Sequence, residues 1–150
     1  MELRFLGRGN TDGDAIAWLP KQRIVASGDL VVAPVPYAAH TYPGEWIVTL
    51  RKLRAMQPAV LIPGHGAPMR DTVYVDRLIA ALEGLRAQVA PLKDLPLEEV
   101  RKRVDLTAMK AGFTGGDAWL AFLIDAVFTN DLIGNAWKEA RGEAVVQGKG

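Results

Sequence analysis

Two residues could do chemistry together. Asp29 closes the apolar run Ile24-Val25-Ala26-Ser27-Gly28-Asp29, and His65 sits between glycines in Pro63-Gly64-His65-Gly66, after Ala59-Val60-Leu61-Ile62. A carboxylate and an imidazole that each end a strand can meet at one sheet edge and share a metal ion. There the carboxylate would bridge ions or orient water, and the imidazole would serve as ligand or as acid and base. Each residue also has a plainer reading. Asp29 can be a turn aspartate accepting backbone N–H bonds, and His65 a half-exposed loop histidine.

Other polar residues are candidates of lower rank. Asn10, Asp12 and Asp14 fall in the glycine-rich stretch Gly7-Arg8-Gly9-Asn10-Thr11-Asp12-Gly13-Asp14. Asp14 can orient a neighbouring ligand, and Asn10 can lend a weak amide oxygen. The alternative for all three is hydrogen bonding within an Asx turn. A phosphate cradle is disfavoured, because no helix follows the loop. His40, with Tyr37 and Tyr42, either lines a pocket or is a solvated loop residue.

The count of ligands is restrictive. The 150-residue chain has two histidines and no cysteine. Catalytic zinc takes three protein ligands and an open position, so any such site is incomplete within one chain. The lack of cysteine also removes disulfides, thiolate metal sites and a cysteine nucleophile.

The elements that must place these residues can be read from the pattern. Residues 2–6 alternate as a strand. Residues 15–19 and 24–28 form a hairpin around Pro20-Lys21-Gln22-Arg23. Prolines 34, 36 and 43 keep residues 30–42 a stiff loop, the kind that walls a pocket. A helix runs from Pro43-Gly44-Glu45 to about Gln57, burying Trp46, Ile47, Leu50 and Leu53. The wholly apolar run 59–62 reads as a strand covered on both faces. A helix over about 72–90 is capped by Asp71 or Thr72 and buries Leu78, Ile79, Leu82, Leu85 and Val89. A shorter helix begins at Pro96. Residues 118–140 form one long helix or two abutting ones. Trp119, Leu120, Phe122, Leu123, Ile124, Val127 and Phe128 form a stripe that reads as core or as a partner surface.

Strands dominate residues 1–62 and helices the remainder, which is an α/β, or α+β layered, architecture. Hydrophobic content of 49% and charged content of 23% suit one globular domain with a substantial core. A net charge of +1 gives no general pull toward nucleic acid or anionic membrane. The N-terminus lacks the pattern of a signal peptide, and no run approaches the roughly 20 apolar residues of a membrane span. A cytoplasmic location is expected.

Taken in order, Gly7-Arg8-Gly9-Asn10-Thr11-Asp12-Gly13-Asp14, Trp18-Leu19-Pro20, Ser27-Gly28-Asp29-Leu30-Val31, Trp46 with Leu50 and Leu53, and Pro63-Gly64-His65-Gly66 resemble the C-terminal half of a metallo-β-lactamase-fold hydrolase. The resemblance covers residues 1–90. It implies half of an αββα sandwich, followed by a helical extension packed on it over 91–141; the tail over 142–150 reads from its own sequence as flexible. The resemblance also implies one or two metal ions, usually zinc, at the sheet edge, and hydrolysis by a metal-activated hydroxide. By resemblance, Asp29 matches the metal-bridging aspartate and His65 the last histidine ligand. Asn10 stands where the family usually has a histidine. The family's N-terminal His-x-His-x-Asp-His motif occurs nowhere in the chain.

A half-sandwich leaves one sheet face without its cover. At roughly 25 cal/mol per Å2 of apolar surface, a face of several hundred Å2 in water costs on the order of 10 kcal/mol, comparable to a domain's whole stability. The expectation is a homodimer in which each copy covers the other, or a separate chain carrying the missing half, as in a split metallohydrolase. The function expected is that of a metallo-β-lactamase-like hydrolase fragment with a residual metal site, weakly active or inactive by itself. The alternative is a non-catalytic structural or interaction protein that keeps the half-fold.

Overall fold

The computed structural model describes residues 1–145. Four strands, β1 (Glu2–Phe5), β2 (Ala15–Leu19), β3 (Ile24–Val32) and β4 (Val60–His65), form one sheet in the order β1-β2-β3-β4. The first three are antiparallel, and β4 runs parallel to β3. A parallel neighbour needs a crossover, and helix α1 (Pro43–Ala55) supplies it. Pro43 lies in the first turn of α1, where its missing N–H costs nothing.

The two faces of the sheet differ. Ile16, Trp18, Val25 and Leu61 point into the core, against α1 and α2 (Val73–Val89) with their buried Trp46, Leu50, Leu53, Leu78, Leu82 and Leu85. On the other face, the pairings Leu3 with Ala17, Ala17 with Ala26 and Ala26 with Ile62 make an apolar row across all four strands, and Phe5 beside Ala15 extends it. Among the described residues, no layer lies over this row. Leu3 is 75% exposed, Phe5 61% and Ile62 41%. The strand over 59–62 is therefore not covered on both faces. It is the last strand of the sheet, and its outer side carries an isolated bridge from Leu61 to Met69.

The C-terminal part is helical: α3 (Leu97–Arg103), α4 (Thr107–Thr114), α5 (Ala118–Ile124) and α6 (Asn130–Ala140). The single-or-double helix expected over 118–140 is α5 and α6 joined by a π-helical segment at Asp125–Thr129. Helix α4 went unread in the sequence. Its start is set by Asp105, whose carboxylate accepts from the Thr107 N–H at 2.9 Å, a bond that also holds the Asp105 carboxyl below its usual range. The stripe of 119–128 is split. Ile124 and Phe128 are buried, while Trp119 and Phe122 stack on each other at 5.6 Å in the open, 65% and 63% exposed. Of the tail expected over 142–150, residues 142–145 have no regular structure, and 146–150 lie outside the described residues. Among the described residues, no helix is long and apolar enough to cross a membrane.

Candidate functional site

The glycine loop is pinned before the site is reached. Thr49 donates to the Arg8 carbonyl at 2.8 Å, and the Gly9 carbonyl accepts from the Tyr42 N–H at 2.8 Å and the Thr41 hydroxyl at 3.0 Å. Gly9 lies flat against the core. A Cβ there would come within 2.6 Å of Trp46 and 2.7 Å of Leu30. Asp14 closes the loop on itself, accepting from the Thr11 N–H at 3.0 Å and the Thr11 hydroxyl at 2.6 Å. Those bonds, which run back three residues and so are not an Asx turn, occupy both carboxylate oxygens of Asp14 within the loop.

Asp29 and His65 do come together. The His65 Nε2 is 3.5 Å from the Asp29 Oδ1, and their side chains are 69% and 52% exposed. The geometry differs from two strands stopping side by side. β4 ends at His65, but β3 passes through Asp29 and continues to Val32. The reason is a break in register. Gly28 takes a left-handed φ of +51°, and the β3–β4 pairing slips between Gly28 and Val32. Such a bulge re-aims a side chain without ending the strand. Gly64 is the second device, because a Cβ there would fall 2.1 Å from the Asp29 Oδ1.

The pair opens onto a cavity of about 540 Å3 lined also by Val32, Val35, Tyr37, Leu123 and Val127. It lies at the carboxyl ends of the parallel strands, where ligands of open α/β sheets bind. His40 is half-buried on the loop and is not among the residues lining this cavity. Sequence reasoning missed the wall from the C-terminal helices and also missed Tyr74. The Tyr74 hydroxyl, from α2, donates to the carbonyls of Val32 at 2.6 Å and Pro34 at 3.2 Å, holding the chain that lines the cavity.

Burial pushes the Tyr74 phenol well above its ordinary pKa. The folded state therefore keeps a proton that the unfolded chain releases near pH 10. Its contribution is complete below that pH and is lost as pH rises above it. Tyr74→Phe is expected to lower stability by about 1–2 kcal/mol at neutral pH and to flatten the alkaline loss. Urea unfolding at pH 7.5 and pH 10.5 measures both.

Zinc needs more donors than this pair supplies. Among the described residues, no group of three or more histidine, aspartate or glutamate side chains gathers around one point. Asn10 is 1% exposed, and its Oδ1 is a buried side-chain atom with no hydrogen-bond partner. An orphaned amide oxygen is a weak donor. Asp29 and His65 are two donors where zinc takes at least three from protein, so this chain alone does not fit the ion.

No family model matches the chain. It is 26% identical over 114 residues to a linear primary-alkylsulfatase of Pseudomonas sp. (strain ATCC 19151), a match covering 67% of this chain and 22% of that protein. Among solved structures, it is similar to a metallo-β-lactamase from Pontibacter korlensis (25% identity, TM-score 0.49, 55% of this chain and 40% of that one). It is also similar to the DIM-1 metallo-β-lactamase (21% identity, TM-score 0.47, 54% and 40%). The chain thus spans about a fifth of the alkylsulfatase and about two fifths of the metallo-β-lactamases.

Proposed function

Starting from a chain that resembles part of the metallo-β-lactamase fold, we propose that it is a hydrolase half-domain whose function requires assembly. It presents Asp29 and His65 as two donors of a metal centre, and it leaves the remaining donors to another chain or layer. The observation that carries the reading is the placement of this pair, 3.5 Å apart, at the end of a sheet whose other face is apolar and uncovered. Isolated, the chain is inactive or weakly active and holds zinc poorly. The sheet face is closed by a second copy. The row from Leu3 to Ile62, with Phe5, is a contiguous exposed apolar surface of the kind that a partner covers.

The test is a mass measurement by light scattering at low micromolar concentration, together with a zinc titration. The expected result is a dimer without stoichiometric zinc. A compact monomer would sink the proposed assembly. Stoichiometric zinc that disappears in the Asp29→Ala, His65→Ala double variant would support the metal-centre reading, and in a dimer it would mean that the two copies share the donors. The absence of a three-donor group among the described residues supports a second reading, a non-catalytic interaction protein that keeps the half-fold. In that reading, zinc and chelator leave stability unchanged even when a chain carrying the missing motif is added.

A further inference from the structure

The glycine loop between β1 and β2 holds a dipeptide that the half-site reading does not use. Asp12 is the one aspartate of the chain that is followed by glycine, and no asparagine is. An Asp-Gly pair carries an electrophile and a nucleophile in reach of each other. The carboxyl carbon of the aspartate can close a five-membered ring with the next backbone nitrogen, and glycine has no Cβ to hinder the closure. In a helix or strand, the fixed torsions and backbone hydrogen bonds keep these atoms apart.

The surroundings of Asp12 and Gly13 leave them free to meet. Both residues are exposed and lie outside helix and strand. A Cβ on Gly13 would meet nothing within 4 Å, so there is open space around the nitrogen that would attack. The Gly13 N–H makes a long bond to the Thr11 hydroxyl oxygen at 3.3 Å. The Asp12 carboxylate faces Arg8 at 3.5 Å in an exposed pair, a kind of contact that restrains a side chain weakly. Other aspartates are held differently. Asp14 is buried, precedes Ala15 and has both oxygens bonded to Thr11. Asp29 precedes Leu30 inside β3. Asp117 precedes Ala118 and caps α5 by accepting from the Leu120 N–H at 2.9 Å.

We propose that Asp12 is a site of spontaneous modification, isomerising to isoaspartate in the folded chain. The Gly13 nitrogen bonds to the Asp12 side-chain carbonyl carbon. The carboxyl oxygen leaves as water with the amide proton, and a succinimide ring closes. Water then opens the ring. Attack at the former side-chain carbonyl restores aspartate. Attack at the former main-chain carbonyl leaves the chain running through the Asp12 side chain, with one more backbone carbon and a free carboxylate where the main-chain carbonyl stood. One water is lost and one regained, with no oxidant, metal or cofactor. The extra carbon falls inside the loop that Asp14 closes by its bonds back to Thr11. The same loop lays Gly9 against Trp46 and Leu30. Isomerisation therefore loosens a closure that the core depends on.

The experiment incubates the full folded chain at pH 7.4 and 37 °C for several weeks in water enriched in heavy oxygen. Trypsin then releases the peptide from Gly9 to Lys21, in which electron-transfer fragmentation separates isoaspartate from aspartate. The expected result is isoaspartate carrying one heavy oxygen at Asp12, with Asp14 of the same peptide unchanged. A synthetic copy of the peptide gives the rate without the fold. Gly13→Ala is expected to slow conversion several-fold. Gly13 does not take a left-handed φ and has room for the methyl, so this variant folds as the parent does. The isomerised fraction, separated by ion exchange, is expected to unfold at a lower urea midpoint than the parent. A folded chain that stays unconverted while the synthetic peptide isomerises overturns the proposal, because the fold then protects the site. So does isoaspartate that accumulates at Asp14, Asp29 or Asp117 as fast as at Asp12, or conversion that Gly13→Ala leaves unchanged. An isomerised fraction as stable as the parent overturns the link to the loop closure.

Discussion

Trp46→Ala is expected to remove much or all of the chain's stability. Trp46 is fully buried, and its indole N–H donates to the Leu30 carbonyl at 3.0 Å. Truncating a buried tryptophan costs about 3–5 kcal/mol from lost transfer energy and the cavity left behind. The Leu30 carbonyl, left buried without its donor, adds about 1–3 kcal/mol. The total approaches the 5–15 kcal/mol that typically holds a domain together. The surroundings cannot collapse into the gap easily, because Gly9 already approaches the indole with no side chain of its own. Leu30 follows Asp29 directly, so the damage reaches the site. A urea midpoint shifted to near zero, with Trp46→Phe falling between parent and alanine, is the expected outcome. A midpoint within about 1 kcal/mol of the parent would show that the core of this half-domain does not depend on the contact between α1 and β3.

Why Trp46 could be placed from the sequence, while the cavity could not, follows from the range of the signals. The 3.6-residue spacing of Trp46, Leu50 and Leu53 and the period-2 pattern of the strands are local, and local pattern decides element type. β-hairpin and crossover connections then leave few topologies, and the observed sheet order follows them. The pairing of Asp29 with His65 was legible for the same reason, since each stands near the carboxyl end of one of two adjacent parallel strands. The bulge was less legible. Gly28 gives a residue type that allows a left-handed φ, but the slip in register exists only between two strands 35 residues apart. The walls of the cavity were not legible at all. Leu123 and Val127 look like any other members of an apolar stripe until α5 and the π-helical segment are set against the loop that carries Ala38. Nor does local pattern show that Trp119 and Phe122 of the same stripe face water, because exposure depends on which neighbour is present. The open sheet face makes the same point. Leu3, Phe5 and Ile62 have the residue types of a buried face, and their pattern is that of a sheet with a second layer.

Gly64→Ala is expected to pull Asp29 and His65 apart while leaving the helical layer intact. The added methyl would lie 2.1 Å from the Asp29 Oδ1, 2.8 Å from the Gly28 carbonyl carbon and 2.9 Å from the Asp29 nitrogen. The carboxylate can swing away, but the two backbone atoms cannot, because Gly28 is paired to Pro63 across β3 and β4. The strands must separate or the bulge must re-form, and overpacking of this kind costs about 1–3 kcal/mol. The carboxylate displaced by the methyl leaves His65 without its neighbour. Two measurements check this. The urea midpoint should fall, and the far-UV circular dichroism should keep its helical signal because α1 and α2 are not touched by the change. Gly84→Ala is the control. Gly84 lies inside α2, a Cβ there meets nothing within 4 Å, and the substitution should add about 0.5–1 kcal/mol of stability. If Gly64→Ala behaved like Gly84→Ala, β4 would have room beside Asp29 that the close approach of the two strands denies, and Gly64 would lose its role in placing the carboxylate against the imidazole.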